Sequence, residues 1–193
     1  MTRLIACFRH RLALITLTLA AAFVPLGLSA QTLSEAVQEG GGIIVIRHAL
    51  APGVGDPANF QLGDCSTQRN LNEEGRDQAR TIGQRLQQLG FGEAEVYSSQ
   101  WCRCMDTAKL LGIVEVQPQP LLNSFFHNAS AGVDQTRELK NWLLERGADQ
   151  PAVLITHQVN ITALLDIYPS SGEMILIRME EGKPVVIARE QTR

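Results

Sequence analysis

The sequence predicts an α/β fold, a three-layer sandwich with a mostly parallel central sheet. Short apolar segments alternate along the chain with segments whose apolar residues recur at helical spacing. The segment from Ile43 to Ile46 has no polar alternation, which is typical of a parallel strand covered on both faces. A second segment of this kind, Pro151 to Thr156, also runs directly into a histidine.

Helices and further strands are predicted in order along the rest of the chain. A helix is predicted over residues 71–89, because its apolar positions share one face and Asn72 can cap its first turn. Two more helices are predicted over residues 102–111 and 134–146, and a loop rich in Gly, Pro, Asp and Asn precedes residue 71. The remaining predicted strands are Glu93 to Ser98, Val114 to Val116, Met174 to Met179 and Pro184 to Ala188.

The first thirty residues have the composition of a secretory signal peptide. Three arginines precede an apolar run from Leu12 to Leu28, and small residues lead to a cleavage site after Ala30. We therefore expect residues 1–30 to be removed and residues 31–193 to form a single domain, periplasmic or secreted, with no stable membrane anchor. An uncleaved anchor is the alternative, although the run is short for a membrane span and contains Pro25.

The charge of the mature chain argues against a nucleic-acid partner. The whole chain has 17 basic and 20 acidic residues, and residues 1–30 contain three arginines and no acid. The mature chain thus has 14 basic against 20 acidic residues, a net charge of −6, and no run of Lys or Arg. Any positive charge used to bind a ligand must therefore come from a small group of neighbouring residues.

The cysteine content predicts one disulfide. Cys65, Cys102 and Cys104 remain after the leader, an odd number for an oxidising compartment. A bridge between Cys102 and Cys104 would close too tight a ring, so we expect Cys65 to bond to one of these two. Zinc binding is the rival interpretation, but the pair lacks the usual two-residue spacer and no second paired cluster follows.

Residues suited to phosphate chemistry stand at the ends of predicted strands. Arg47 and His48 follow the first apolar segment, and His157 follows the second. Arg103 lies at the turn from a strand into a helix. Because the carboxyl ends of parallel strands share one edge of the sheet, these side chains can converge in one pocket.

This set of side chains predicts phosphoryl transfer. A neutral imidazole can attack phosphorus near neutral pH and give a phosphohistidine that water then hydrolyses. Guanidinium groups match the geometry of the equatorial phosphoryl oxygens, and a protonated second histidine adds a further donor. This chemistry requires no metal, and we expect no cofactor.

Four segments, in order, resemble motifs of the histidine phosphatase superfamily, which has the phosphoglycerate mutase-like fold. The segment IIVIRHA, from residue 43, resembles its Arg-His-Gly signature, and residues 64–79 resemble its following Arg-x-Leu, Gly and Gln-Ala segment. Residues 99–108 are similar to its Ser-x-x-x-Arg-x-x-x-Thr-Ala element, and residues 154–157 to the strand with its second histidine. The resemblance spans roughly residues 43–165.

The resemblance implies a role for each residue of the site. It implies that His48 is the phosphorylated nucleophile and that His157 is the second catalytic histidine, which donates to phosphate oxygens. Arg47 and Arg103 then bind the phosphate of the substrate. Arg69 matches a position that is often arginine in short bacterial members, and it has no assigned role.

One departure from the family concerns the proton donor. The nearest branch usually has a glutamate after the third strand, about where Asn123 and Ser124 stand here. The phytase-like branch has an aspartate after the second histidine, where this chain has Gln158. His127 or Glu173 is a possible substitute, with a surface or structural role as the alternative for each.

The predicted function is a periplasmic, metal-independent phosphatase that hydrolyses a phosphomonoester or a phosphoramidate. In the absence of this acid, the chain resembles the short phosphohistidine phosphatases. In its secretory signal, it resembles the lipopolysaccharide core heptose phosphatases. An envelope glycan and a phosphohistidine are both candidates for the small phosphorylated substrate, and the sequence leaves the identity of the substrate open. The alternative function is a non-catalytic phosphate-recognising module of the same fold.

Overall fold

Six strands form one mixed sheet with helices on both faces. The computed structural model of the chain describes residues 31–40, 42–147 and 150–192. The predicted signal peptide, residues 1–30, lies outside the described residues. Within the described residues, no helix is long and apolar enough to cross a membrane.

The sheet is mostly parallel, as predicted. Its spatial order is β3-β2-β4-β1-β5-β6. The first four strands along the chain run parallel to one another, whereas β5 pairs antiparallel with β1, and β6 pairs antiparallel with β5. The strands are β1 (Ile43–Arg47), β2 (Glu95–Ser98), β3 (Val116–Pro118), β4 (Ala152–Thr156), β5 (Met174–Glu180) and β6 (Lys183–Glu190).

Helices cover both faces and complete the predicted three layers. Three helices pack on one face of the sheet and two on the other. The helices are α1 (Leu33–Gln38), α2 (Glu73–Gln88), α3 (Cys102–Leu110), α4 (Gly132–Arg146) and α5 (Gln158–Leu165). Strand β1 shows why its sequence lacks alternation: Ile44 and Ile46 pack under α1, α2 and α3, whereas Ile43 and Val45 pack under α4 and α5. Each side chain buried in this way stabilises the fold by about 1.5–3 kcal/mol.

Helix α2 is locked against the loop that follows β1. Asn72 caps it by accepting a hydrogen bond from the backbone N–H of Gly75 at 2.8 Å, as the sequence predicted. A Cβ atom at Gly75 would lie 2.0 Å from the carbonyl oxygen of Leu50. Only glycine permits this approach, so the first turn of α2 fixes the path of the chain just beyond His48.

Two helices were missing from the sequence-based prediction, and two strands begin two residues later than predicted. Helix α1 has six residues, too few for a periodic pattern to show. Helix α5 has the sequence QVNITALL, whose β-branched residues disfavour a helix, and its burial against the sheet determines its structure instead. Strands β2 and β3 each begin two residues later than predicted, at Glu95 and Val116.

A disulfide joins Cys65 to Cys102, with the two Cα atoms 5.7 Å apart. Cys65 lies in the long loop between β1 and α2, and Cys102 is the first residue of α3. Of the two partners left open by the sequence, the structure selects Cys102, and Cys104 is a buried free thiol. The bridge therefore attaches the long loop to the helix that carries Arg103.

Removal of this bridge is expected to destabilise the protein. The two cysteines are 37 residues apart, and the chain-entropy model gives a stabilisation of roughly 3 to 4 kcal/mol for a loop of this length. Denaturant unfolding of the oxidised protein and of the Cys65→Ser/Cys102→Ser double variant measures the difference. Reductant should shift the unfolding midpoint of the wild type and leave that of the double variant in place. Detection of three free thiols in the unreduced protein would contradict the pairing.

Candidate active site

A cavity of about 150 Å³ lies beyond the carboxyl ends of β1 and β4 and beside the start of α3. All four predicted site residues line it, together with nine residues from the loops above the sheet and from the start of α5. The ionisable side chains of its lining are Arg47, His48, Asp56, Arg69, Arg103 and His157. The parallel arrangement of β1 and β4 places His48 and His157 side by side, with ring centroids 5.5 Å apart.

His48 is held as a neutral imidazole. Its backbone N–H donates to the carbonyl of Thr156 at 2.9 Å, which anchors it to β4, and its side chain is buried. Nδ1 lies 2.8 Å from the carbonyl oxygen of Ala49, so Nδ1 bears the proton and donates it. Burial lowers the pKa of His48 to about 3, and the positive charge of Arg103 acts in the same direction. Nε2 is therefore unprotonated at neutral pH.

His157 is buried beside it as a second neutral imidazole. Its Nε2 lies 2.8 Å from the Ser99 hydroxyl, and its Nδ1 accepts from Nη2 of Arg103 at 3.3 Å. Burial, followed by electrostatic repulsion from His48 and Arg103, lowers the pKa of His157 well below 6.5. The side chain is thus uncharged at neutral pH.

Arg103 joins the two histidines to a carboxylate. Its Nε donates to Nε2 of His48 at 3.3 Å, and its Nη2 points to His157. Its third nitrogen, Nη1, forms an ion pair with Oδ1 of Asp56 at 2.6 Å. Both side chains of this ion pair are 4% exposed. The guanidinium is therefore oriented toward both imidazoles before any ligand arrives.

Asp56 is a site residue that the sequence analysis missed. Besides Arg103, its carboxylate accepts from the backbone N–H of Arg69 and from Nε1 of Trp101, each at 3.1 Å. Burial tends to raise the pKa of Asp56, but the hydrogen bonds from Arg103 and Arg69 outweigh it, and the pKa is lowered on balance. The carboxylate is therefore ionised. The available signal was an acidic residue inside the Gly-rich segment GVGDP, which does not reveal a partner 47 residues away.

Arg47 and Arg69 complete the positive lining. Nη1 of Arg47 donates to the carbonyl of Pro169 at 3.0 Å, and its buried Nε has no hydrogen-bond partner among the described residues. Arg69 donates from Nε to the carbonyl of Gly55 at 2.8 Å and from Nη1 to that of Ala51, so it holds the loop above the cavity. With three arginines, one carboxylate and two neutral histidines, the cavity has a net charge of +2 in an acidic chain.

The residues considered as proton donors do not supply a free carboxylic acid to the cavity. Glu173 is paired with Arg189 at 2.7 Å, and it accepts from the backbone at the turn before β5. His127 is exposed and outside the lining, and Asn123 accepts from the backbone of the turn before α3. Among the described residues, Asp56 is the single carboxylate in the lining.

The buried thiol of Cys104 packs beside the site. Its Sγ lies 3.4 Å from Nε2 of His157, and burial raises its pKa to about 12, against the lowering effect of Arg103. The thiol is therefore neutral. In the part of the chain that the structure describes, no group of three or more His, Cys, Asp or Glu residues is arranged to hold a metal ion.

Acidification is expected to destabilise the folded chain below about pH 6.5, the ordinary pKa of histidine. In the folded state His48 stays neutral down to about pH 3, whereas in the unfolded chain its imidazole binds a proton as the pH falls through 6.5. Proton uptake by the unfolded state costs about 2 kcal/mol of stability for His48 between pH 6.5 and pH 5. His157 adds to this loss, because its pKa is also lowered.

Urea unfolding at pH 7 and at pH 5 measures this effect. His48→Gln should lose less stability over this interval than the wild type, since one of the two groups is gone. The contribution of Asp56 belongs to a lower window: it is complete above pH 3.8, the ordinary pKa of its carboxyl, and is lost as the pH falls through its lowered folded value. Equal losses in the wild type and in His48→Gln would contradict the assignment.

An α/β sandwich with two buried imidazoles and three guanidinium groups at one sheet edge defines a phosphate-type anion site. A sequence model of the histidine phosphatase superfamily (branch 1) matches residues 43–136, which include three of the four predicted site residues. This match assigns residues 43–136 of the chain to the histidine phosphatase superfamily. No curated protein sequence matches the chain.

Several solved structures share the fold. The protein histidine phosphatase SixA, complexed with tungstate, is 17% identical, with a TM-score of 0.54 over 76% of this chain and 94% of its own. Phosphoserine phosphatase from Entamoeba histolytica, complexed with 3-phosphoglyceric acid, is 15% identical, with a TM-score of 0.58 over 80% and 98%. Mycobacterial glucosyl-3-phosphoglycerate phosphatase, complexed with VO3, is 17% identical, with a TM-score of 0.54 over 77% and 100%. At these identities the likeness establishes the common fold.

Proposed function

We propose that this protein is a phosphatase that hydrolyses a small phosphorylated substrate through a phosphohistidine on His48. One observation carries the proposal: a single buried guanidinium, that of Arg103, lies 3.3 Å from Nε2 of His48 and 3.3 Å from Nδ1 of His157. A phosphoryl group between these three side chains would have a nucleophile on one side and donors around its oxygens. The solved structures with this fold include several phosphatases, which supports the proposal.

In the first step, the electron pair of His48 Nε2 attacks phosphorus. The bond between phosphorus and the leaving-group atom breaks, and the leaving group departs with that electron pair. The imidazole becomes positive as the N–P bond forms, and the hydrogen bond from Nδ1–H to Ala49 stabilises this charge. Arg47 and Arg103 hold the equatorial oxygens, and a dianion in the cavity favours protonation of His157, which then donates to phosphate as well.

In the second step, water attacks the phosphohistidine. A new P–O bond forms, the N–P bond breaks with its electron pair returning to Nε2, and inorganic phosphate leaves. The net charge of +2 in the lining matches a phosphate dianion. The residues themselves supply the donors for both steps, so we propose that the reaction needs no metal.

We further propose that the mature protein works in the periplasm or outside the cell. Residues 1–30 have the composition of a signal peptide, and the pairing of Cys65 with Cys102 suits an oxidising compartment. The physiological leaving group then belongs to an envelope glycan, a phosphohistidine or another small phosphorylated compound.

Hydrolysis of a chromogenic aryl phosphate in the presence of a chelator tests the proposed function. The wild type should release phosphate, and His48→Gln should not. The second candidate, a phosphate-binding module, is favoured by the absence of a free carboxylic acid in the described lining. Saturable binding of phosphate without turnover would support that module and overturn the phosphatase.

The reaction is expected to depend steeply on the leaving group. A positioned general acid contributes about 10²- to 10⁴-fold by protonating the departing oxygen, and its value grows as that oxygen becomes more basic. Asp56 enters the reaction ionised, so it cannot serve as this acid. We therefore expect kcat/KM for aryl phosphates to exceed that for alkyl phosphates by about 100-fold or more.

A series of esters with graded leaving-group pKa, measured at one pH, provides the test. The His127→Gln and Glu173→Gln variants are the controls, since neither residue lines the cavity, and both should keep the wild-type slope. A shallow slope in the wild type would reveal an acid. If the dependence on leaving-group pKa then became steep in one variant alone, the residue replaced in that variant would be the proton donor.

A further inference from the structure

Two large apolar side chains are exposed at one side of the phosphate cavity, whose lining also includes uncharged polar side chains. Val54 and Phe126 both line the cavity, yet their side chains are 90% and 52% exposed. Val54 stands at the tip of a turn between Gly53 and Gly55, both with positive φ, and this conformation projects the valine outward. Large apolar side chains that are exposed beside a cavity are typical of ligand-contacting surfaces. We call Val54 and Phe126 the apolar rim.

The two residues of the rim belong to separate loops that meet over the site. A Cβ atom at Gly55 would lie 3.8 Å from Cε1 of Phe126, so the two loops are within van der Waals distance. Arg69 fixes the first loop through its hydrogen bond to the carbonyl of Gly55. A group attached to a phosphate in the cavity therefore lies next to the apolar rim where it leaves the cavity on this side.

The cavity is too small to hold more than the phosphoryl end of a substrate. Its volume of about 150 Å³ is below the roughly 300–1,000 Å³ of pockets that enclose whole small molecules. Each charged side chain of the lining already has a partner in the protein or is assigned to the phosphate. Arg103 forms an ion pair with Asp56, Arg69 donates to two carbonyls of the loop, and Arg47 is assigned to the phosphate. A charged leaving group would therefore have to compete with the phosphate and the loop for these three guanidinium groups.

We propose that the leaving group of the natural substrate is uncharged and presents an apolar face to Val54 and Phe126. This inference rests on the proposed function and narrows its substrate class. Among leaving groups of equal basicity, it favours aryl or alkyl groups, or the apolar face of a neutral sugar, and it disfavours groups with a carboxylate or an ammonium next to the phosphate ester. The rim then determines specificity, and the histidines and arginines below it perform the reaction.

Two aryl phosphates of matched leaving-group pKa, one neutral and one with a ring carboxylate, provide the test. The wild type should prefer the neutral ester by about tenfold or more in kcat/KM, the scale of discrimination by a small apolar contact. Val54→Ser and Phe126→Ser should each reduce this preference and leave inhibition by inorganic phosphate unchanged. Phe126→Lys should improve hydrolysis of the carboxylate ester. Val133→Ser, at a valine 76% exposed on α4 and outside the cavity, is the matched control and should change nothing.

The outcomes separate this inference from the proposed function. Turnover of both esters at equal kcat/KM, or unchanged preference in both serine variants, would overturn the inference alone. If the wild type hydrolysed neither ester, the proposed function would fail, and the rim would be tested by binding of the matched phosphonates. Tighter binding of the neutral phosphonate, weakened by Val54→Ser, would support the apolar rim, and equal binding would refute it.

Discussion

His48→Ala is expected to abolish turnover and to remove the covalent intermediate. In the wild type, rapid quenching during turnover should trap a phosphoryl group on His48 that is labile in acid and stable in base, as expected for a phosphoramidate. The reason is geometric: Nε2 is the nitrogen without a proton, and Nδ1 is committed to the carbonyl of Ala49. Loss of this atom leaves the site with its donors but without a nucleophile.

The structure also supplies a rival nucleophile, which makes the position of the label decisive. The Ser99 hydroxyl lies 2.8 Å from Nε2 of His157, and a histidine can activate a neighbouring serine only through an unprotonated nitrogen. Here Nδ1 of His157 accepts from Arg103, so Nε2 bears the proton and donates to Ser99, which disfavours this rival. A phosphoryl group on Ser99 would be stable in acid and labile in base. Ser99→Ala should retain the label on His48, and a label on Ser99 or Cys104 would overturn the mechanism.

Arg103→Ala is expected to lower kcat/KM by about 10²-fold or more, the typical loss when one preorganised charge-stabilising donor is removed. It should also destabilise the fold by about 3–5 kcal/mol, because Asp56 would remain buried without its cation. Activity must therefore be measured well below the unfolding temperature of the variant.

Arg103→Lys separates these two effects. The ammonium can still neutralise Asp56, so most of the stability should return. The ammonium cannot reach Asp56, His48 and His157 together, so most of the lost activity should not return. Arg137→Lys, at an exposed arginine paired with Asp134 on α4, is the control and should match the wild type in both measurements. Full activity in Arg103→Lys would show that a point charge suffices.

The convergence of the predicted residues in one cavity could be expected from the sequence because three of them stand directly at the ends of parallel strands. The positions of Arg47, His48 and His157 follow from the parallel direction of β1 and β4 alone. Asp56 and Arg69 could not be assigned in this way. Their roles depend on the path of the long loop, which side-chain hydrogen bonds and a disulfide determine rather than periodicity.

The sequence predicted strands more reliably than short helices. Continuous β-branched runs such as Ile43–Ile46 have few alternatives to a buried strand. Helix α5 contains the same kinds of residues, and its position between β4 and β5, over the apolar face of the sheet, decides its conformation. Local propensity is outweighed there by burial, which depends on the complete fold.

The ion pair of Asp56 and Arg103 links the integrity of the site to the cooperativity of the fold. Its hydrogen bonds connect the long loop, α3, β1 and the end of β4, so no segment of the site can open by itself without breaking contacts in another. These donors are ordered when the protein folds, so ligand binding does not carry the entropic cost of ordering them. We therefore expect the geometry of the proposed active site to be gained and lost in one transition with the sheet.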